Sequence, residues 1–187
     1  MKVLLGVSNK HIHLKEEDYK VLFGDIVMEN IKDLVQPGQF SSNLKVDIKT
    51  EKRTLTGIRV LGPLRDYTQV ELSKTDCYAL GIDPPIRESG NLEGASAVTI
   101  VGPKGELTKE CAIIANRHIH ITKEIREELG LFKDKVSIKV EGEKSTILKD
   151  VYLKETKEAA LELHLDTDDA NGCLLKTGDM LEIIESD

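Results

Sequence analysis

A repeated histidine motif is the feature that most constrains the fold of this chain. Residues 8–14 read SNKHIHL and residues 115–121 read ANRHIHI, so both histidines recur at one common offset. An apolar run precedes each copy, and a short acidic stretch follows it. So long a period excludes a solenoid of short repeats and predicts a duplicated domain. We place the two halves at residues 1–90 and 91–187, and we expect them to exchange strands.

Short strand-like segments fill most of the remaining chain. Residues 44–48 alternate apolar and polar side chains, as a half-buried strand does, and so do residues 55–60, 97–101, 136–140 and 180–184. Turn signals rich in Gly and Pro separate these segments, and the helix-like patches are short. The pattern favours small barrels over a parallel α/β sheet. We therefore predict a mainly β fold of two similar small β-barrels with short capping helices.

Composition excludes several classes of function. The 187 residues carry a net charge of −7 and contain no Trp. Such a chain lacks the basic field and the stacking surface that nucleic-acid binding uses, so we expect no nucleic-acid partner. No apolar run reaches the ~18 residues of a membrane span and no export signal is visible, so we expect a cytoplasmic protein without a membrane partner. Three scattered cysteines fit a reducing compartment.

The two HIH triplets predict metal binding. Residues two apart in a strand face the same side, so the imidazoles of each triplet converge. Neutral imidazole is a common ligand of zinc and other divalent metals. The alternative is a set of surface histidines at strand ends, repeated only through gene duplication. The remaining histidine, His164, would alone be an ordinary polar position, but beside four candidate ligands it becomes a fifth.

Two further residues stand out in the segment 64–72. Glu71 lies in a strand-like stretch with apolar neighbours, and Arg65 follows the Gly62-Pro63 turn. A guanidinium fork matches phosphate through two parallel contacts, whereas the alternative is a surface ion pair. No nucleophile elbow, P-loop or dinucleotide-binding fingerprint occurs in the sequence. Cys111 could be a ligand or a nucleophile, but a small buried strand residue is the interpretation we prefer.

Five motifs follow one another in order along nearly the whole chain. They are SNKHIH at 8–13, QPGQF at 36–40, GPLR at 62–65 with Glu71, NRHIH at 116–120 and HLDTDDAN at 164–171. This set resembles the PduL-type phosphate acyltransferases, also called phosphate propanoyltransferases. The resemblance implies two small β-barrels and an enzyme that reversibly converts acyl-CoA and phosphate into acyl phosphate and CoA. The acyl group would be propanoyl or acetyl.

The resemblance also implies a two-metal site and a set of binding residues. The cofactors would be two divalent metal ions, usually zinc, and the substrates would be acyl-CoA, CoA, inorganic phosphate and acyl phosphate. The implied metal ligands are His11, His13, Glu71, His118, His120 and His164. The family pattern would assign Glu71, His118 and His120 to one ion and His11, His13 and His164 to the other. The implied phosphate-binding residues are Ser8, Arg65 and Asn171, with Arg65 also catalytic. The implied CoA contacts are Lys32, Gln39, Arg59, Tyr78, Ser89 and Ala115.

Location and assembly follow from the same resemblance. Members that enter bacterial microcompartments often carry an amphipathic N-terminal extension, whereas the first HIH here begins at residue 11. We therefore expect a free cytoplasmic enzyme rather than one in a microcompartment lumen, and association as a homodimer. Two other functions stay open: a dinuclear zinc thioesterase or other hydrolase, and a non-catalytic metal-binding module. The dependence of thiol release on phosphate separates the three.

Overall fold

Short strands are distributed along residues 1–184, the part of the chain that the computed structural model describes. The strands there are β1 (Lys2–Ser8), β2 (His11–His13), β3 (Asn30–Asp33), β4 (Phe40–Lys49), β5 (Thr54–Gly62), β6 (Gln69–Glu71), β7 (Ile86–Arg87), β8 (Ser96–Val101), β9 (Glu106–Ala115), β10 (His118–Ile121), β11 (Lys135–Val140), β12 (Thr146–Glu155), β13 (Glu162–Asp166) and β14 (Met180–Ile184). The helices there are α1 (Glu16–Phe23), α2 (Lys74–Leu80), α3 (Lys123–Glu128) and α4 (Thr167–Gly172).

The described chain divides into two compact units, each named here after the first histidine of its HIH triplet. The His11 unit contains Asn9–Leu34 and Gly38–Ala115. The His118 unit contains Met1–Ser8, Val35–Pro37 and the described part of Asn116–Asp187. These units differ from the predicted halves at residues 1–90 and 91–187, because strand pairing joins distant segments. Strand β1 pairs with β13 and β14, whereas β8 and β9 pair with β4 and β6.

Six strands close a ring in each unit. The order in the His11 unit is β4-β5-β2-β6-β9-β8 and back to β4, with β3 and β7 added at edges. The order in the His118 unit is β11-β12-β10-β13-β1-β14 and back to β11. Parallel pairs occur at matching places, β2 with β5 and β6 with β9 in one ring, β10 with β12 and β13 with β1 in the other. The prediction of a mainly β fold with two similar small barrels is confirmed.

Alternating side chains give each ring its own apolar core. In β4, Leu44, Val46 and Ile48 are buried while Lys45 is exposed. In β13, Leu163 is completely buried within the core of the His118 unit. Burying one such aliphatic side chain contributes about 1.5–3 kcal/mol, so each barrel holds its strands in register through this alternation.

The four described helices are short, and three of them begin at capping side chains, whereas α1 begins at Lys15 without a side-chain cap. Ser73 and Asp76 form a capping box at the start of α2, the Thr122 side chain accepts from the Ile125 backbone N–H, and Asp166 caps α4. Such caps satisfy backbone donors that the first helical turn leaves unpaired. Among the described residues, every helix is too short or too polar to cross a membrane.

Candidate metal centres

Three side chains of the His11 unit converge on one point. His11 and His13 lie on β2, and Glu71 lies directly opposite His11 on the antiparallel neighbour β6. One ligand atom of each residue lies within 4.8 Å of the other two. The Nε2 atom of His11 is 3.4 Å from Oε2 of Glu71. The strand register therefore assembles two imidazoles and a carboxylate, which we call the His11 cluster.

The His118 unit repeats this arrangement with a third imidazole. His118 and His120 lie on β10, and His164 lies directly opposite His118 on β13. Their ligand atoms also fall within 4.8 Å of one another, and the Nε2 atoms of His118 and His120 are 3.2 Å apart. The three rings meet edge to face. We call this set the His118 cluster.

Burial decides between the two interpretations of the HIH triplets. His11, His118 and His120 are each 8% exposed, and His13 is 3% exposed. Surface histidines left over from gene duplication would be solvated, so this alternative is excluded by the structure. A buried imidazole needs a partner for its polar atoms, and clustered imidazoles with a carboxylate are a typical set of metal ligands.

The grouping of the ligands contradicts the pairing that the resemblance implied. That pairing joined Glu71 to His118 and His120, and it joined His164 to His11 and His13. The structure instead keeps Glu71 with the first triplet and His164 with the second. The cause is strand register, because β6 pairs with β2 and β13 pairs with β10.

A backbone carbonyl orients the first histidine of each triplet. Nδ1 of His11 lies 2.8 Å from the Asn9 carbonyl oxygen, and Nδ1 of His118 lies 2.9 Å from that of Asn116. A carbonyl oxygen can only accept, so each Nδ1 carries the proton and donates it. The Nε2 lone pair then faces the cluster, which is the tautomer that a metal ligand requires.

The ligand spacing and chemistry fit a divalent ion such as zinc. Tetrahedral zinc with bonds of about 2.0–2.1 Å to nitrogen holds its ligand atoms about 3.3 Å apart. The 3.2 Å between His118 and His120 and the 3.4 Å between His11 and Glu71 agree with that separation. Three protein ligands leave a fourth position for water or substrate, as catalytic zinc sites do. Each cluster can therefore hold one ion.

Charge within the His11 cluster acts on the imidazole. Burial works to lower the pKa of His11, but attraction and hydrogen bonding to Glu71, together with the Asn9 carbonyl, outweigh it. The pKa of His11 is therefore raised above its ordinary value. A proton and a divalent cation would compete for this imidazole–carboxylate pair, since metal binding requires the neutral ring.

Gln69, a residue that sequence reasoning missed, holds the carboxylate of the His11 cluster. Its side chain is fully buried, and its amide nitrogen donates to Glu71 Oε1 at 2.7 Å and to Ser89 Oγ at 2.8 Å. Its amide oxygen accepts from the Gly90 backbone N–H at 2.7 Å. The signal for Gln69 in the sequence is its place two residues before Glu71, on the same face of one strand.

Glu162, also missed, stands beside the His118 cluster. Its Oε2 atom lies 2.9 Å from His164 Nε2, and Gln36 donates to the same oxygen at 2.8 Å. Both Glu162 and Gln36 are 4% exposed. Burial works to raise the pKa of Glu162, but the hydrogen bonds from His164 and Gln36 outweigh it and lower this pKa. Glu162 is therefore held as a carboxylate.

Arg65 contacts two other predicted binding residues of the His11 unit, Gln39 and Ser89, and also Tyr67, which was not predicted. Its guanidinium donates to Tyr67 Oη at 2.7 Å, to Gln39 Oε1 at 3.2 Å and to Ser89 Oγ at 3.4 Å. All three partners are neutral, unlike the carboxylate that the ion-pair alternative requires. The Arg65 backbone N–H also donates to the Leu14 carbonyl, which ties this residue to the end of the first triplet.

The other predicted binding residues lie on several elements. In the His118 unit, Ser8 ends β1 opposite Asp166, and Asn171 is exposed on α4. The predicted CoA contacts of the His11 unit not already described are Lys32 on the exposed strand β3, Arg59 on β5, Tyr78 on α2 and Ala115 at the end of β9.

The fold and the two clusters define a duplicated β-barrel protein with one candidate three-ligand metal centre in each barrel. A family model described as phosphate propanoyltransferase matches residues 4–176. The phosphate propanoyltransferase of Thermotoga maritima is 45% identical over 98% of this chain and 89% of its own length. Those of Rhodopseudomonas palustris and Levilactobacillus brevis are each 42% identical, over 97% and 91% of this chain and 82% and 83% of their own lengths. The chain belongs to the phosphate propanoyltransferase family, and it is an acyltransferase.

Proposed function

We propose that this enzyme transfers a propanoyl or acetyl group between CoA and inorganic phosphate, reversibly, with one divalent metal ion bound in each cluster. The names of the family and its relatives support the phosphate acyltransfer. The observation that carries the metal dependence is the pair of buried three-ligand clusters with ligand atoms at zinc-like separations. Zinc is the ion we propose, since two imidazoles with a carboxylate or a third imidazole suit it.

The metal would be held by His11, His13 and Glu71 in one unit, and by His118, His120 and His164 in the other. When bound, zinc supplies a Lewis acid that polarises a carbonyl or phosphoryl oxygen and accepts a thiolate sulfur. The protein contributes fixed ligand orientation through the Asn9 and Asn116 carbonyls and through Gln69 and Glu162.

Arg65 is the residue we propose to hold phosphate. Its guanidinium is already positioned by Tyr67, Gln39 and Ser89, so little side-chain freedom is lost when an anion binds. Positioned phosphate attacks the thioester carbonyl as if in an intramolecular reaction, which lowers the entropic part of the barrier. A carbon–oxygen bond forms, the carbon–sulfur bond breaks, and CoA leaves as the thiolate. Ser8 and Asn171 are proposed as further phosphate contacts.

Direct attack by phosphate agrees with the state of Cys111. Burial raises the pKa of the Cys111 thiol to about 12. A thiol that stays protonated at neutral pH is a poor nucleophile, so a covalent acyl–cysteine at this position is disfavoured. We therefore propose a single direct transfer to phosphate, without an acyl-enzyme at Cys111.

The CoA contacts, location and assembly are further proposals. Lys32, Gln39, Arg59, Tyr78, Ser89 and Ala115 are proposed to contact CoA. A cytoplasmic location is supported by the scattered positions of the three cysteines in the sequence, which fit a reducing compartment. Binding of nucleic acid or membrane is disfavoured by the net charge of −7. Sedimentation tests the proposed homodimer.

The test is thiol release from propanoyl-CoA and acetyl-CoA by zinc-loaded protein, with and without phosphate. We expect release that rises with phosphate concentration and yields acyl phosphate. Equal release without phosphate would identify a thioesterase, and bound metal without turnover would identify a non-catalytic module. Propanoyl and acetyl groups differ by one methylene, so we expect the kcat/KM values for propanoyl-CoA and acetyl-CoA to differ by about 10–200-fold.

A further inference from the structure

The strand beside each HIH triplet carries the third ligand and a polar residue two positions before it. On β6 these residues are Gln69 and Glu71, and on β13 they are Glu162 and His164. In both units the third ligand lies opposite the first histidine of the triplet, and the preceding polar residue lies opposite the second. Gln69 and Glu162 therefore occupy equivalent positions in the two barrels.

Each of these equivalent residues makes a hydrogen bond to the third ligand of its own cluster. Gln69 donates its amide N–H to Oε1 of Glu71 at 2.7 Å. Glu162 receives the N–H of His164 Nε2 on Oε2 at 2.9 Å. Where the ligand is an acceptor the neighbour is a donor, and where the ligand is a donor the neighbour is an acceptor. Between the two barrels, both the third ligand and the residue two positions before it change, and the hydrogen bond between them is kept.

Further contacts fix the Glu162 carboxylate in the His118 unit. Gln36 donates to the same oxygen that receives the His164 proton. The adjacent strand β1 has glycine at this point, and a Cβ on Gly6 would lie 2.5 Å from Glu162 Oε1 and 3.2 Å from His164 Cδ2. The side chains of Glu162 and His164 therefore pack over Gly6, and the Cβ of any larger residue at position 6 would clash with them.

This packing determines which nitrogen of His164 faces its cluster. Strand β13 lies between β1 and β10. The Cδ2 edge of the His164 ring lies on the β1 side, over Gly6. The opposite edge of the ring carries Nδ1, and the rings of His118 and His120 on β10 lie with their centroids 5.1 and 4.7 Å from that of His164, so we infer that Nδ1 is the nitrogen on the β10 side. With its Nε2 proton held by Glu162, His164 presents the Nδ1 lone pair, whereas His118 presents Nε2.

We propose that Glu162 is a positioning residue that makes His164 a metal ligand through Nδ1. We further infer that the residue two positions before the third ligand must match that ligand in hydrogen-bond polarity. The inference rests on the proposed metal clusters, and it deepens them. Buried partners of metal ligands commonly change metal affinity 10–100-fold when they are removed.

The first test is zinc titration of metal-stripped protein by competition with a chelator. Wild type should bind two ions per chain. Glu162→Leu, which removes the hydrogen-bond acceptor and stays close to the size of the original side chain, should weaken the binding of one ion about 10–100-fold and leave the other unchanged. Glu158→Leu makes the same change at an exposed position and should bind both ions as wild type does. Wild-type affinity for both ions in Glu162→Leu would overturn the positioning role.

A second pair of variants tests the matching rule. His164→Glu places a carboxylate ligand beside Glu162, and the repulsion should lower affinity for one ion at least tenfold. Adding Glu162→Gln recreates the pair found at Gln69 and Glu71, and it should recover at least tenfold of that loss. A double variant that binds zinc no better than His164→Glu alone would refute the rule.

A spectroscopic measurement keeps the proposal testable even if a variant fails to fold. Long-range proton–nitrogen spectra of zinc-loaded wild type, labelled in histidine nitrogen, should show His164 protonated on Nε2 and bonded to metal through Nδ1. Protonation on Nδ1 would overturn the inference while leaving the proposed metal binding intact. Failure of wild type to bind zinc at all would instead refute the metal clusters, so the two failures are distinguishable.

Discussion

Replacing Gln69 with leucine should be one of the more destabilising polar substitutions in the His11 unit. The side chain is fully buried and takes part in three hydrogen bonds, to Glu71, Ser89 and the Gly90 backbone. Leucine is close in volume to glutamine, so Gln69→Leu removes the bonds without leaving a large cavity. The cost comes from partners that lose their donors and acceptors within the unit.

The magnitude follows from the nature of the three bonds. The bond to the Glu71 carboxylate is charge-assisted and contributes about 1.5–3 kcal/mol, and each of the two neutral bonds contributes about 0.5–1.5 kcal/mol. Together they correspond to about 2.5–6 kcal/mol in the free energy of unfolding. Gln39→Leu is the matched control, because half-exposed Gln39 contributes one bond, to Arg65, that water can replace.

Urea unfolding of the metal-free variants, followed by circular dichroism, measures this free energy. We expect Gln69→Leu to lose about 2.5–6 kcal/mol and Gln39→Leu to lose about 1 kcal/mol. We also expect one zinc ion to bind Gln69→Leu about 10–100-fold more weakly. A loss in Gln69→Leu no greater than that of the control would show that the buried network contributes little, and the reasoning would be wrong.

Four further predictions follow from the same structure. Arg65→Ala should keep both metal ions but lower kcat/KM for phosphate about 10–100-fold, which corresponds to the loss of about 1.5–3 kcal/mol of charge-assisted hydrogen bonding. Unchanged phosphate kinetics in this variant would show that Arg65 does not bind phosphate. Because the raised pKa of Cys111 keeps its thiol neutral below about pH 12, a thiol reagent at pH 8 should label the partly exposed Cys173 and leave Cys111 unmodified until the protein unfolds. Rapid labelling of Cys111 in the folded protein would contradict its burial. Gly6→Ala should lower the affinity for one zinc ion, because the new Cβ would lie 2.5 Å from Glu162 Oε1. Competition with a chelator measures this affinity. Chelation should abolish turnover, and added zinc should restore it; full activity after verified removal of metal would refute the metal dependence.

The barrels could be predicted from the sequence because strand periodicity is local. Alternation in β4 and β13 sends Leu44, Val46 and Leu163 inward, and this pattern is visible in the residues alone. The sequence predicted that strands would be exchanged between the halves, but it could not show that β1 joins the barrel of the His118 unit. Pairing between Gly6 and His164 joins residues far apart in the chain, and periodicity reports which way a side chain faces, not which strand lies beside it.

The candidate ligands were predictable to a similar degree. The two HIH triplets show in the sequence which imidazoles converge, because residues two apart share a face. Whether Glu71 or His164 completes a given triplet depends on register, and there the implied pairing failed.

Gln69 and Glu162 were missed for a related reason. A single Glu among 33 acidic residues carries no local signal. Its role becomes visible only when its hydrogen bond to the ligand two residues away is seen. Gln69 does share a strand face with Glu71, but its three bonds join residues from two separate segments, and strand periodicity does not reveal such contacts.

Metal content and phosphate dependence, measured on one preparation of the wild-type protein, test the proposed metal-dependent acyl transfer to phosphate. We expect two divalent ions per chain and release of CoA from propanoyl-CoA that rises with phosphate and produces propanoyl phosphate. Two bound ions with CoA release that is independent of phosphate would contradict the proposed transfer.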